Sequence, residues 1–464
     1  MTEFDLAVIG GGPGGYTAAI RGVQQGAKVC LIEADRLGGT CLHRGCIPTK
    51  AWHSTARLLR QLDHAASHGI TVGERSFDFG TAVRRKDTVV AQLHGGLRQL
   101  MKSYNVELFR GRAAIEQSGR IVIRRPGLTG RLQARNIVLA TGARPMRPAG
   151  WPIDGKNILT SDEILGIQGL PRDLLVIGGG YIGCELAAIF AAFGSRVTLV
   201  EQQSALLGNS DREAVALLMG SLQSQGVTIH TGTAIDKLAV DDNKVVAHLA
   251  GQGAIEVDKA LVAAGRVPNS ADLGLEELGV QLDHGAVVVD EGMRTSAERV
   301  FAIGDVTGGM QLAHVAAYQA GVAVANALGG DEEVDYRIVP STVFTLPELG
   351  QVGLTEEACR SRKVELNIGR FSYRASGKAL ADGHPEGFVK LLADAADGRL
   401  LGATMVGDQA SNLVAEVALA MGHGLSAADL GHLIHAHPTL SEMVREAAED
   451  VIGVAPHRPP NKQK

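Results

Sequence analysis

Phe4-Asp5-Leu6-Ala7-Val8-Ile9-Gly10-Gly11-Gly12-Pro13-Gly14-Gly15 decides how this chain folds. Its apolar half reads as a short buried strand. The spacing Gly10-x-Gly12-x-x-Gly15 fits a dinucleotide-binding turn, in which one glycine makes the bend, one lets backbone approach a pyrophosphate and one lets the next helix pack on the strand. A helical pattern then runs from Tyr16 to about Gln25, and a second strand, Lys28-Val29-Cys30-Leu31-Ile32, delivers Glu33 at its end. A carboxylate there can accept hydrogen bonds from both hydroxyls of a ribose.

The same unit recurs downstream. Leu174-Leu175-Val176-Ile177 leads into Gly178-Gly179-Gly180-Tyr181-Ile182-Gly183, a helix through about Phe193, and the strand Arg196-Val197-Thr198-Leu199-Val200 ending at Glu201. Eighteen positions separate the last glycine from the acid in both copies, Gly15 to Glu33 and Gly183 to Glu201. Two such turns imply two dinucleotides. Glu201 would repel a 2′-phosphate and Gln202-Gln203 offers no arginine to receive one, which favours NAD over NADP, although a carboxylate at a strand end also occurs as plain surface. Two further runs, Ile137-Val138-Leu139-Ala140-Thr141-Gly142-Ala143 and Ala260-Leu261-Val262-Ala263-Ala264-Gly265-Arg266, have the rhythm of strands that close nucleotide domains. Val300-Phe301-Ala302-Ile303-Gly304-Asp305 puts an acid where it can meet a ribityl or ribose hydroxyl or, equally, cap the next helix.

Between the two units lies Gly38-Gly39-Thr40-Cys41-Leu42-His43-Arg44-Gly45-Cys46-Ile47-Pro48-Thr49-Lys50. A C-x4-C pair alone is usually two buried thiols or half a metal site. Directly after a nucleotide-binding unit, it points to a redox-active disulfide beside a cofactor.

The whole chain is compatible with small-molecule chemistry. Its 464 residues, 45% hydrophobic and 20% charged, suit roughly two to four domains. A net charge of -5 without a basic tract argues against nucleic acid and anionic membrane as partners. The start, Met1-Thr2-Glu3-Phe4-Asp5, carries no basic leader and the apolar run after it is soon broken by glycines. Neither signal peptide nor membrane span is expected, and a cytoplasmic location is. Five cysteines do not make a disulfide scaffold, so Cys30, Cys184 and Cys359 are expected as reduced thiols. The 59 glycines suit a fold rich in tight turns and close backbone approaches.

In this order the two glycine turns, Gly39-Thr40-Cys41 through Cys46-Ile47-Pro48 and Lys50, Gly304-Asp305, and the C-terminal His435-Ala436-His437-Pro438-Thr439-Leu440-Ser441-Glu442 resemble the flavoprotein disulfide reductases, the class I pyridine nucleotide-disulfide oxidoreductases. The likeness covers nearly the whole chain. It implies an α/β protein with two Rossmann-like dinucleotide-binding domains plus a C-terminal α+β dimerisation domain. The implied division is 1–147 for FAD and the redox disulfide, 148–270 for NAD, a central domain at 271–340 that completes the FAD site, and an interface domain at 341–464. FAD would be held by Gly10, Gly12, Gly15, Glu33, Thr40, Lys50, Ala113, Asp305 and Ala313. NAD would be held by Gly178, Gly180, Gly183, Glu201 and the turn at Gly265, with Glu185 as a partner for Lys50. As a bare feature Glu185 is simply a helical carboxylate.

Within the family, the chain most resembles the members that oxidise dihydrolipoamide on a lipoyl-carrier domain in 2-oxo acid dehydrogenase or glycine cleavage complexes. By that likeness Cys41 is the interchange thiol, Cys46 lies against the flavin as a charge-transfer thiolate, and His437, oriented by Glu442, is the general base. His435 is expected to pack or make a structural hydrogen bond, and no metal is expected, because an i, i+2 histidine pair lacks the further ligands of a zinc site. His437 is about 390 residues from the cysteines. In the family that base comes from the other subunit, which implies a homodimer with shared sites.

Inside the redox loop His43-Arg44 stands where the family usually has Asn-Val. A guanidinium there could lower a thiolate pKa, attract an anionic substrate or point to solvent. Met443, Val315 and Tyr318 are further departures, and they bear on the exact substrate. The competing enzyme is an NAD(P)H-dependent reductase of another low-molecular-weight disulfide, against which Glu201 argues. Mercuric reductase and large thioredoxin reductase need C-terminal cysteines that are absent here, and a transhydrogenase would not require Cys41 and Cys46. A binding subunit without turnover would have had no need of Cys41, Cys46 or His437.

Overall fold

The computed structural model describes residues 3–74, 76–116 and 119–457. Contacts divide the chain into two units. One comprises the residues up to Trp52, Asp78–Gly169 and Val262–Asp335; the other comprises His53–Phe77, Leu170–Leu261 and the chain from Tyr336 onward.

The first unit is built on a sheet whose neighbouring strands are Glu107–Arg110, Val29–Glu33, Glu3–Ile9 and Leu128–Leu139, with Val300–Ala302 also paired to the last of these. These pairings are parallel. Leu6, Ala7 and Val8 are fully buried, as expected of a strand covered on both faces, and each large aliphatic side chain so placed contributes about 1.5–3 kcal/mol. Their registers bring Ile9 beside Ile32 and Leu139, and Leu139 beside Ala302. The carboxyl ends of four strands therefore share one edge, where open α/β sheets bind their ligands. Arg112–Ile115 and Arg120–Arg125 extend the sheet as an antiparallel branch onto the first half of Leu128–Leu139.

The second unit repeats the motif. Asp173–Ile177, Arg196–Val200 and Thr228–His230 are parallel, with Ile177, Val200 and His230 in line. The helix Tyr181–Phe193 is apolar almost all round and correspondingly buried, and Gly194 ends it in the left-handed conformation. The three strands Ile235–Asp241, Lys244–Leu249 and Gly253–Val257 form an antiparallel meander.

The C-terminal part of this unit is an antiparallel sheet in the order Ser341–Val343, Glu348–Gly353, Leu400–Gly407, Phe388–Asp394, Leu366–Ser372. The helices Ala410–Gly422 and Glu442–Val451 share its core, which includes Val389, Leu391, Met405, Val414 and Val444. Lys390 is buried in this unit among Asp211 at 2.5 Å and Glu213 and Glu356 at 3.3 Å. The α+β character expected of the last domain is present. Among the described residues no helix is long and apolar enough to cross a membrane.

Candidate functional site

The first glycine turn behaves as its spacing requires. Gly10 has φ of +105°, and a Cβ added there would collide with the carbonyl of Ala140; one on Gly15 would collide with the carbonyl of Gly10. Gly12 precedes the helix Pro13–Gln24, which starts three residues before the expected Tyr16, with proline in its first turn. No side chain caps this helix, so its first backbone donors have no side-chain acceptor, as an anion-binding helix end requires. Glu33 holds the turn in shape, for its Oε2 accepts the N–H of Gly11 and its Oε1 that of Asp35, both at 2.7 Å. Burial raises the Glu33 pKa, while the backbone donors of Gly11 and Ala34 pull it back. Gly111 N–H donates to the Glu33 carbonyl at 2.9 Å, which brings the buried Ala113 strand alongside.

The two cysteines lie on consecutive helices, Gly39–Arg44 and Cys46–Asp63, divided at Gly45. Their sulfurs stand as thiols within hydrogen-bond reach of each other. This contact, then burial, pushes the Cys41 pKa strongly upward, and the Lys50 ammonium opposes the rise. Helix from Cys46 onward puts Lys50 one turn beyond Cys46, as expected. Thr40 is in the same turn as Cys41. The Tyr16 hydroxyl pKa is raised chiefly by burial and then by the charges of both cysteines. That residue escaped the sequence reading, although an aromatic directly after a glycine turn was a signal. Cys30, Cys184 and Cys359 are buried thiols.

Asp305 does not cap a helix. It lies in the first turn of the short Gly304–Thr307 helix, and the next helix, Ala313–Ala327, is preceded by Leu312. The Gln319 side chain accepts the Gly304 N–H at 2.7 Å and fixes this turn. Burial raises the Asp305 pKa, and Arg266, with Nε 3.7 Å away, lowers it. Burial likewise raises the pKa of Asp162, whose buried Oδ1 has no hydrogen-bond partner, and Arg266 opposes that rise. Gly265 is part of the same neighbourhood, for its carbonyl accepts from Met146 N–H at 2.9 Å, and Arg266–Pro268 pairs with Ala143–Pro145. Spacing could not disclose Arg266, Asp162 or Gln319, because only the fold brings them to Asp305.

The second glycine turn reproduces the first. A Cβ on Gly183 would meet the carbonyl of Gly178, Gly178 has φ of +110°, and Gly180 precedes a helix without a side-chain cap. Glu201 accepts Gly179 N–H on Oε2 and Gln203 N–H on Oε1, both at 2.6 Å. Both acids thus make the same pair of backbone contacts. Glu185 is buried and accepts the N–H of Phe344 at 3.0 Å.

His437 and Glu442 meet in the second unit. The His437 ring reaches Glu442 Oε1 through Nδ1 at 3.0 Å, and Oε2 of the same carboxylate accepts Thr439 N–H at 2.8 Å. Partial burial works to raise the Glu442 pKa, but the Thr439 N–H and the His437 ring outweigh it and hold the carboxyl below its ordinary value. With Nδ1 engaged, Nε2 is turned outward on a ring that is 81% exposed. His435 is buried instead, with Nε2 2.7 Å from Glu416 and Nδ1 3.0 Å from the Leu433 carbonyl, which is the structural role expected of it.

A protein-family model described as pyridine nucleotide-disulphide oxidoreductase matches residues 4–320, and one for the dimerisation domain of these proteins matches residues 339–448. The chain belongs to this family, and its α/β architecture agrees with the fold class expected from the sequence. Among its relatives, the dihydrolipoyl dehydrogenase of Chlorobaculum tepidum is 40% identical over 97% of each chain. That of Thermus scotoductus is 43% identical, again over 97% of each. Among solved structures, LpdA from Mycobacterium tuberculosis matches with a TM-score of 0.90 at 28% identity, over 97% of this chain and 99% of that one. The HOCl-induced flavoprotein disulfide reductase RclA from Escherichia coli matches with a TM-score of 0.86 at 29% identity, over 96% and 99%.

Proposed function

We propose that the chain is a dihydrolipoyl dehydrogenase, which oxidises dihydrolipoamide to lipoamide and reduces NAD to NADH. The observation that carries this reading is the thiol pair Cys41 and Cys46, within hydrogen-bond reach beside an uncapped glycine turn and Lys50. Dihydrolipoyl dehydrogenases about 40% identical over nearly full length support it.

The two glycine turns fit dinucleotides, because each keeps a cradle that a single Cβ would fill and a helix end with no side-chain cap. FAD belongs to the first, with Gly10, Gly12, Gly15, Glu33, Thr40, Lys50, Ala113, Asp305 and Ala313. NAD belongs to the second, with Gly178, Gly180, Gly183, Glu201 and the turn at Gly265. When bound, FAD supplies an acceptor for the electron pair of the reduced cysteines and NAD its final carrier as hydride.

The residues of the chain perform the exchange. Only a thiolate attacks a disulfide. His437 Nε2 takes a proton from one substrate thiol, and the resulting thiolate attacks Cys41 Sγ. The Cys41–Cys46 bond breaks and Cys46 leaves as thiolate. After His437 has passed that proton to solvent it takes the proton of the second substrate thiol, whose thiolate attacks the substrate sulfur of the mixed disulfide; Cys41 leaves and recovers this proton from His437 as a thiol. The substrate leaves as a cyclic disulfide, and two electrons remain on the cysteine pair. Glu442 keeps the His437 ring oriented and compensates its charge while it holds the proton.

The domain division at 147, 270 and 340 belongs to the same proposal, and Val300–Ala302 pairing with Leu128–Leu139 supports a central segment that completes the FAD site. So does a homodimer in which His437 serves the cysteines of the partner. The dimerisation-domain match supports it, as do the exposed Leu433 and Ile434 beside His437. The partner substrate is a lipoyl-carrier domain, within a 2-oxo acid dehydrogenase or glycine cleavage complex in the cytoplasm. The test is heterodimer complementation: Cys41→Ala mixed with His437→Ala should regain activity through one intact site per dimer. An active monomer would overturn the shared-site reading.

A further inference from the structure

His43 and Arg44, between the two cysteines, are both committed. Arg44 forms an ion pair with Asp35 and has Nη1 3.8 Å from Asp162. Asp35 is the residue whose N–H binds Glu33, so the guanidinium ties the redox helix to the loop of the first acid. Arg44 is thus not an unengaged cation in solvent.

His43 makes the second tie. Its Nε2 donates to the Leu37 carbonyl at 2.8 Å, and His94, from the helix Phe79–Ser103, donates Nδ1–H to the same oxygen at 2.9 Å. A carbonyl can only accept, so both donor positions are fixed. The rings meet edge to face at 5.1 Å. Leu37 precedes Gly38 and Gly39, both with positive φ, where the redox helix starts. At Gly39 the chain runs so close to Gly12 that a Cβ would lie 2.7 Å from the Gly12 Cα. Protonation of His43 Nδ1, which is buried without a partner, would leave an N–H unsatisfied; burial, Arg36 and His94 accordingly lower its pKa.

We propose that His43 and Arg44 are positioning residues that fasten the helix bearing Cys41 to the first nucleotide turn, one by a hydrogen bond to Leu37 and the other by ionic ties to Asp35 and Asp162. The thiol pair is thereby held to the turn by charge as well as by packing, which sets its redox equilibrium. The inference deepens the proposed function and rests on it for the identity of the cysteines as the redox pair.

The test is the equilibrium constant between Cys41–Cys46 dithiol and disulfide in glutathione buffers, read on the full-length holoprotein by quenched alkylation and mass. Arg44→Glu places like charges together at both contacts and should shift the constant by about three- to tenfold at low salt, with the shift shrinking at high ionic strength. Arg44→Lys should stay close to wild type. Arg44→Asp combined with Asp35→Arg should recover part of the loss. His43→Gln, which can still donate to Leu37, should be milder than His43→Ala. A constant in Arg44→Glu equal to wild type at low salt, or a shift insensitive to salt and to the charge swap, overturns the proposal. Failure of the proposed function reads differently: wild type would then not couple dithiol oxidation to NAD, whatever the Arg44 variants do.

Discussion

His437 Nδ1 stands 3.0 Å from Glu442 Oε1, and the other oxygen of that carboxylate is anchored to the Thr439 backbone. The imidazole is held through one nitrogen and its other nitrogen is left outward on an exposed ring. His437→Gln should lower dithiol oxidation by about 10²- to 10⁴-fold, the usual range for loss of a general base. NADH oxidation by an artificial electron acceptor, which asks nothing of the base, should change little. Glu442→Gln should cost less. A folded carboxyl pKa below the ordinary value means that the dyad is stabilised above the unfolded carboxylate pKa and loses that contribution only as pH falls through the depressed value. Carboxyl NMR titration of the wild type checks this: Glu442 should titrate below the ordinary glutamate range.

The Cys41 thiol is raised first by its contact with Cys46 and then by burial. Cys46→Ala removes the larger cause, and the apparent pKa of Cys41 should fall. Rates of iodoacetamide alkylation against pH, on reduced protein, are the measurement. A raised thiol means that wild-type Cys41 stays protonated through the neutral range and gains reactivity only in alkali. An unchanged profile in Cys46→Ala would show that burial alone sets the value.

Glu201 fills both oxygens with backbone N–H groups at 2.6 Å, and in the proposed NAD site its charge would repel a 2′-phosphate. Glu201→Ala should raise KM for NADH by about tenfold, the order expected for a lost charge-assisted hydrogen bond. It should also narrow the preference over NADPH. Steady-state kinetics with both coenzymes decide, and unchanged discrimination would remove Glu201 from the site.

Lys390 is 2% exposed in its side chain and sits among Asp211, Glu213 and Glu356. Lys390→Met leaves the buried Asp211 without its cation, while Glu213 keeps Arg370 and Glu356 keeps Arg360; the unpaired buried carboxylate should destabilise the protein by about 3–5 kcal/mol. Denaturant unfolding of the full chain measures it. The double variant Lys390→Met with Asp211→Asn should recover part of the loss.

Local rules account for what the sequence disclosed. Strand, glycine turn, helix and terminal acid are set by neighbouring residues, and Asp173–Ile177 with Arg196–Val200 forms almost to the residue. Lys50 was legible because helix from Cys46 fixes its face. Residues joined only by tertiary structure were not legible: Arg266 reaches Asp305 across 39 positions, and His94 shares the Leu37 carbonyl with His43 from a separate helix. Asp305 could be read as a helix cap because an acid at a strand end satisfies either role until the helix start is known. Arg44 was ambiguous for the same reason, as its partners Asp35 and Asp162 come from two different segments.

The most direct test of the central claim is the initial rate of NADH formation from dihydrolipoamide and NAD by the purified holoprotein, in parallel with Cys41→Ser and Cys46→Ser. The account predicts rapid NADH formation by wild type, its loss in both variants, and little reduction of NADP. No NADH from dihydrolipoamide, together with brisk NADPH oxidation by another low-molecular-weight disulfide, would contradict it.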